Sequence, residues 1–184
     1  MRVYVPTTPA RVAALREHGL PEGTEAYAAT PALAEALGMP APGSEDADDD
    51  LAEVAVATAA EASLLLLAED AAAGSGGGAE DHTGEQGSPG DAGSTGTGVA
   101  PPGPRRVVLA AEAPARPLGG DAHPATVVLT APLPFAAVDT VLADDGTVPD
   151  RLARAVAAVD EDQERGVRML ENTALGWFAP SELD

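Results

Sequence analysis

Residues Gly74–Pro104 read GSGGGAEDHTGEQGSPGDAGSTGTGVAPPGP. The stretch holds a single valine, Val99, and no Leu, Ile, Phe, Tyr or Trp. With so little to bury, it is expected to be disordered. Whether it joins two domains or interrupts one decides the fold. The remaining residues, about 150, suffice for one domain with its own core.

The sequence before the stretch opens with Arg2–Val5, in which Val3 and Val5 alternate with Arg2 and Tyr4, the pattern of a short strand. Pro6 is expected to end it. Thr8 is suited to cap a helix, with Pro9 at the first helical position, where a missing N–H costs nothing, and Gly19 as a stop. AYAATPALAEALG then echoes VYVPTTPARVAAL: Tyr27 falls where Tyr4 did, and Thr30-Pro31-Ala32 where Thr8-Pro9-Ala10 did. The two units read as strand–turn–helix repeats whose strands lie parallel, joined by a right-handed crossover. After an acidic loop, Asp48–Asp50 are placed to open a helix over about Leu51–Ala72. That helix is apolar nearly all round, as a central helix is.

Beyond the stretch, Arg105–Glu112, Ala125–Ala131 and Asp139–Asp145 read as strands. Thr147, Pro149 and Asp150 open a helix with Leu152, Ala155, Val156 and Val159 on one face. The C-terminal VRMLENTALGWFAPSELD suits one or two short strands, with Leu175 and Trp177 sharing a face. Neither half closes a core alone: the Ala/Leu helix lacks a sheet, and the later strands lack cover. The expectation is one α/β domain, α+β in character, spanning 1–184. It has a mixed sheet of about five strands covered by helices, with residues 74–104 inserted as a disordered loop. Such an insertion costs little, because loop entropy grows only logarithmically with length.

Composition excludes several chemistries. There is no Cys, hence no disulfide, thiolate metal site or Cys nucleophile, and no Lys, hence no P-loop or Schiff-base lysine. All ten basic residues are Arg, and the net charge is -20. Nucleic acid and anionic membrane surfaces would be repelled, so neither is an expected partner. The N-terminus has no apolar run behind a basic start, and the most apolar window, Val54–Ala68, is interrupted by Thr58, Glu61 and Ser63. The chain is expected to be cytoplasmic. No cofactor is implied.

The candidate sites are few. If both Thr-Pro helix starts open at one sheet edge, their free N–H groups could bind a small anion, with Thr7, Thr8, Arg11 and Thr30 lining the pocket. Simple capping explains the same residues. Asp144-Asp145-Gly146 follows a strand, where paired carboxylates can hold a metal for hydrolysis, though Asp-Asp-Gly also makes an ordinary turn. Trp177 and Phe178, two of five aromatic residues, could anchor a protein partner or close the core. Arg105 and Arg106 are expected to be solvated, or loosely paired with Glu80, Asp81 or Glu85. Gly74, Gly76 and Ala79 match a dinucleotide pattern, but a helix precedes them where the pattern needs a strand. His18, His82 and His123 read as surface residues.

RVYVPTT, AYAATPAL, AAEASLLLLA, RRVVLAAE and LGWFAPSEL together resemble a family of small uncharacterised actinobacterial proteins, a domain of unknown function. The resemblance covers most of the chain outside 74–104. The family pattern has Ala where Thr7 stands and a shorter link before Arg105-Arg106, which implies that the stretch is an insertion. It implies no activity. Two function classes follow: a non-catalytic binding or regulatory module for a protein partner or small anion, and a small metal-dependent hydrolase using Asp144 and Asp145.

Overall fold

The computed structural model describes residues 1–43, 45–75, 104–145, 149–170 and 173–182. The expected disorder of 74–104 falls almost wholly outside these residues. Seven strands form one sheet: β1 (Arg2–Thr7), β2 (Glu25–Tyr27), β3 (Val107–Glu112), β4 (Ala115–Pro117), β5 (Thr126–Leu129), β6 (Val138–Ala143) and β7 (Gly176–Phe178). Their order across the sheet is β4-β5-β2-β1-β3-β6-β7, and every pairing is antiparallel. Strands from both sides of Gly74–Pro104 therefore interleave, with β1 paired to β2 on one side and β3 on the other.

Two expectations are corrected here. The sheet has seven strands rather than about five, and it is antiparallel rather than mixed. In particular β1 and β2 run antiparallel, with Tyr4 opposite Tyr27. The reason lies in the connection. The helix α1 (Pro9–His18) supplies only the outward leg. Residues 20–24 form the return leg, bound to the chain around β5: Leu20 bridges Leu133, and the Gly23 N–H donates to the Leu129 carbonyl at 2.9 Å. At the turn between the legs Gly19 has φ +69°, and a Cβ there would lie 2.8 Å from the Leu133 oxygen. Both facts demand glycine.

Pro6 continues β1 rather than ending it. Met1 and Ala113 exchange hydrogen bonds in both directions, so alternation gives Val3 and Val5 the directly bonded positions against β3 and turns the Pro6 nitrogen the other way. Pro6 then presents its missing N–H toward β2, where the ladder already stops at Tyr4↔Tyr27.

The long helix α3 (Glu45–Ser75) lies across one face of the sheet. It begins before Asp48–Asp50 rather than after them, because carboxylates are favoured within the first turns. Leu51, Ala55, Ala59 and Ala60 pack on Tyr4, Tyr27, Val108, Ala110 and Leu142, together with Leu33 and Ala34 of α2 (Pro31–Leu37). Their spacing of about four residues makes one stripe, and Ala in that stripe brings helix and sheet close. Over Ala47–Gly74 this helix is long and apolar enough, by length and composition alone, to cross a membrane. Its buried stripe instead meets the sheet and then, through Leu64 and Leu67, Leu152 and Ala155 of α4 (Pro149–Val159) and Leu170 beyond α5 (Gln163–Arg168). The other sheet face carries Val3, Val5, Val107, Leu109, Val127 and Val141, with Leu15 of α1 and Phe135 packed against it.

Candidate functional site

The two Thr-Pro starts do not converge. Because β1 and β2 are antiparallel, their C-terminal ends, and so Thr8 and Thr30, lie at opposite edges of the sheet. Thr8 occupies the capping position of α1, but its hydroxyl donates to the Asp70 carboxylate on α3 rather than capping its own helix. Arg11 donates to the same carboxylate through Nε at 3.0 Å and Nη2 at 2.7 Å, and to Glu69 at 3.2 Å. Thr30 does cap α2, accepting from the Leu33 N–H at 3.0 Å, and its hydroxyl donates to the Pro124 carbonyl at 2.6 Å. The Thr7 side chain is buried, with no hydrogen-bond partner for its hydroxyl among the described residues. Arg11 and the Thr8 and Thr30 hydroxyls, expected to line an anion pocket, are thus occupied by the protein's own groups, and the Thr7 hydroxyl is buried away from them.

Asp144 and Asp145 also separate. Asp145 is exposed, whereas Asp144 is buried against Arg106. Arg106 Nη2 donates to Oδ1 at 2.7 Å, and its Nε and backbone N–H donate to Oδ2 at 3.2 and 2.9 Å. Both oxygens are held by a guanidinium, and a metal would have to displace it. Among the described residues no three of His, Asp or Glu gather closely enough to hold a metal ion. His18 sits exposed at the end of α1, and His123 accepts from the Ala125 N–H. Gly74 is in the last turn of α3, while Gly76, Ala79 and His82 lie outside the described residues, as do Glu80, Asp81 and Glu85. Arg106 is therefore not a loosely solvated residue. Its partner is 38 positions away, and nothing in the local pattern announces it.

Trp177 and Phe178 point to opposite faces of the edge strand. Phe178 is half-buried against the sheet face that carries Val3 and Val5. Trp177 pairs with Leu142, on the face that α3 covers, and is 71% exposed. Here α3 covers Leu142 of β6 but leaves Trp177 of β7 open. The result is an open groove of about 910 Å³ between α3 and that edge. Its apolar lining includes Val56, Ala57, Leu64, Leu142, Leu175 and Trp177; Tyr4 and Arg106 also reach it. Asp49, Glu53 and Glu61 of α3 supply its acidic lining. Sequence reading singled out Trp177 but missed the α3 residues. Their signal is a four-residue spacing of Asp49 and Glu53 beside Val56, readable as one helix side.

The architecture is that of an α/β protein with a fully antiparallel sheet, one long covering helix and a groove beside an edge strand. The chain belongs to the family of unknown function DUF6912, which it matches over residues 1–184. No curated protein and no solved structure matches it.

Proposed function

We propose that this chain is a non-catalytic binding module that takes a segment of a protein partner into the groove between α3 and the β6–β7 edge. The observation that carries this reading is the placement of Trp177. The chain has one Trp, and it stands exposed at an apolar groove rather than in the core. A large exposed aromatic beside aliphatic side chains is the usual anchor of a binding hot spot. The net charge of -20 favours a protein over nucleic acid or an anionic membrane, and it suits a cytoplasmic setting. A hydrolase built on Asp144 gains no support from a carboxylate already held on both oxygens.

The test uses immobilised full-length chain and extract from its own host cells. Wild type should retain a protein that Trp177→Ala does not, while the two melt at the same temperature. Retention by both alike would remove the groove as the binding surface.

A further inference from the structure

Resting on that reading, we infer that the groove takes a basic, apolar-faced segment of a protein partner. The argument is charge complementarity around an apolar floor. Asp49 and Glu53 stand one turn apart on α3, with Glu61 two turns further on, all lining the groove. Neither Asp49 nor Glu53 has an ion-pair partner among the described residues. Among the described residues the one cation in the lining, Arg106, is buried and matched by Asp144. Asp49 and Glu53 therefore present acidic charge to the groove without compensation among the described residues.

An acidic segment would meet like charge there, and so would a second copy of this chain at net -20. A segment with Arg or Lys on one side and aliphatic residues on the other satisfies both halves of the groove. Its cations face Asp49 and Glu53. Its apolar side covers Val56, Ala57 and Leu175, and a guanidinium or ammonium can stack on the Trp177 indole. Electrostatics sets which partner is admitted, and the apolar floor and Trp177 hold it.

The single Trp makes the experiment direct, because emission from the full-length chain reports on the groove alone. The probes are a synthetic amphipathic Leu/Lys peptide lacking Trp and its Leu/Gln counterpart. The Leu/Lys peptide should shift Trp177 emission saturably to shorter wavelength, with the Leu/Gln peptide much weaker. Asp49→Asn with Glu53→Gln should weaken binding about tenfold. The charge-matched control, Glu22→Gln with Asp121→Asn near the β4–β5 end, should change it less than about twofold. If the Leu/Gln peptide binds as well, or the two double variants behave alike, the basic partner is wrong while the groove stands. If neither peptide moves the emission, the groove reading falls with it.

Discussion

Arg106 and Asp144 close the end of the β3–β6 ladder as a buried ion pair, their side chains 5% and 3% exposed. The Asp144 N–H donates to the Arg106 carbonyl at 3.3 Å, and the Arg106 N–H returns a bond to the Asp144 carboxylate instead of its carbonyl. Nη2 of Arg106 also donates to the Thr173 carbonyl at 3.1 Å, which fixes the chain just before β7 and Trp177. Removing one partner strands a buried charge. Asp144→Ala should cost about 3–5 kcal/mol, and the double change Arg106→Met, Asp144→Leu markedly less. Urea denaturation of the three proteins measures this, and a double variant as unstable as the single one would show that the pair acts through something other than charge.

Ser63 makes a second buried polar link. Its hydroxyl donates to the Thr7 carbonyl at 2.7 Å and accepts from the Val107 N–H at 2.9 Å. It stands between the two groups that a directly bonded last rung of β1–β3 would join. Ser63→Ala leaves a buried donor and a buried acceptor unpaired, so a loss of about 2–3 kcal/mol is expected. Chemical denaturation checks it. A loss below about 0.5 kcal/mol would mean that β1 and β3 close directly once the hydroxyl is gone.

The echo between the first two units was legible because it is local, and it places real partners together: Tyr4 and Tyr27 are opposite each other in the register. The direction of β2 was not, because the return leg LPEGT carries no periodicity and its partners come from Leu129 and Leu133. β4 is three residues ending in Pro, too short to show alternation. α5 was missed because Gly166 reads as a breaker. In the structure a Cβ there would sit 2.6 Å from a Val159 methyl and 2.9 Å from the Ala155 oxygen, so glycine is what lets α5 cross α4 closely. α4 itself needs no distant partner to be recognised, since Leu152, Ala155, Val156 and Val159 form its stripe. At the candidate site, Trp177 stood out by rarity. The groove did not, since it exists only where α3 stops covering the sheet.

Asp70 ties the end of α3 to the start of α1, and its titration should appear in the acid limb of stability. Burial pushes its carboxyl up, but hydrogen bonds from Arg11 and Thr8 outweigh this and hold it below the usual carboxylate range. A carboxyl lowered in the folded state contributes stability above its unfolded value, about 3.9, and loses it as pH falls through the folded one. Asp70→Asn should therefore flatten the stability curve below about pH 4. Parallel denaturation series for both proteins decide it, and curves of equal slope there would show that the link adds nothing.

Tyr27 gives the alkaline counterpart. Burial pushes its phenol up to about 12, and the Glu25 carboxylate adds to this by its charge and by accepting the phenol O–H at 3.2 Å. Tyr4 is also raised by burial, partly opposed by Arg2. The chain has no Lys and no Cys, so the phenols dominate side-chain titration above pH 9. A phenol raised in the folded state contributes stability that is full below its unfolded value, about 10, and is lost as pH rises through about 12. Tyrosinate absorbance should stay low at pH 10 in the folded protein and grow only as the fold opens. Tyr27→Phe should remove much of the stability loss between those values. Two phenols ionising near pH 10 with the fold intact would place Tyr27 in water rather than under α3.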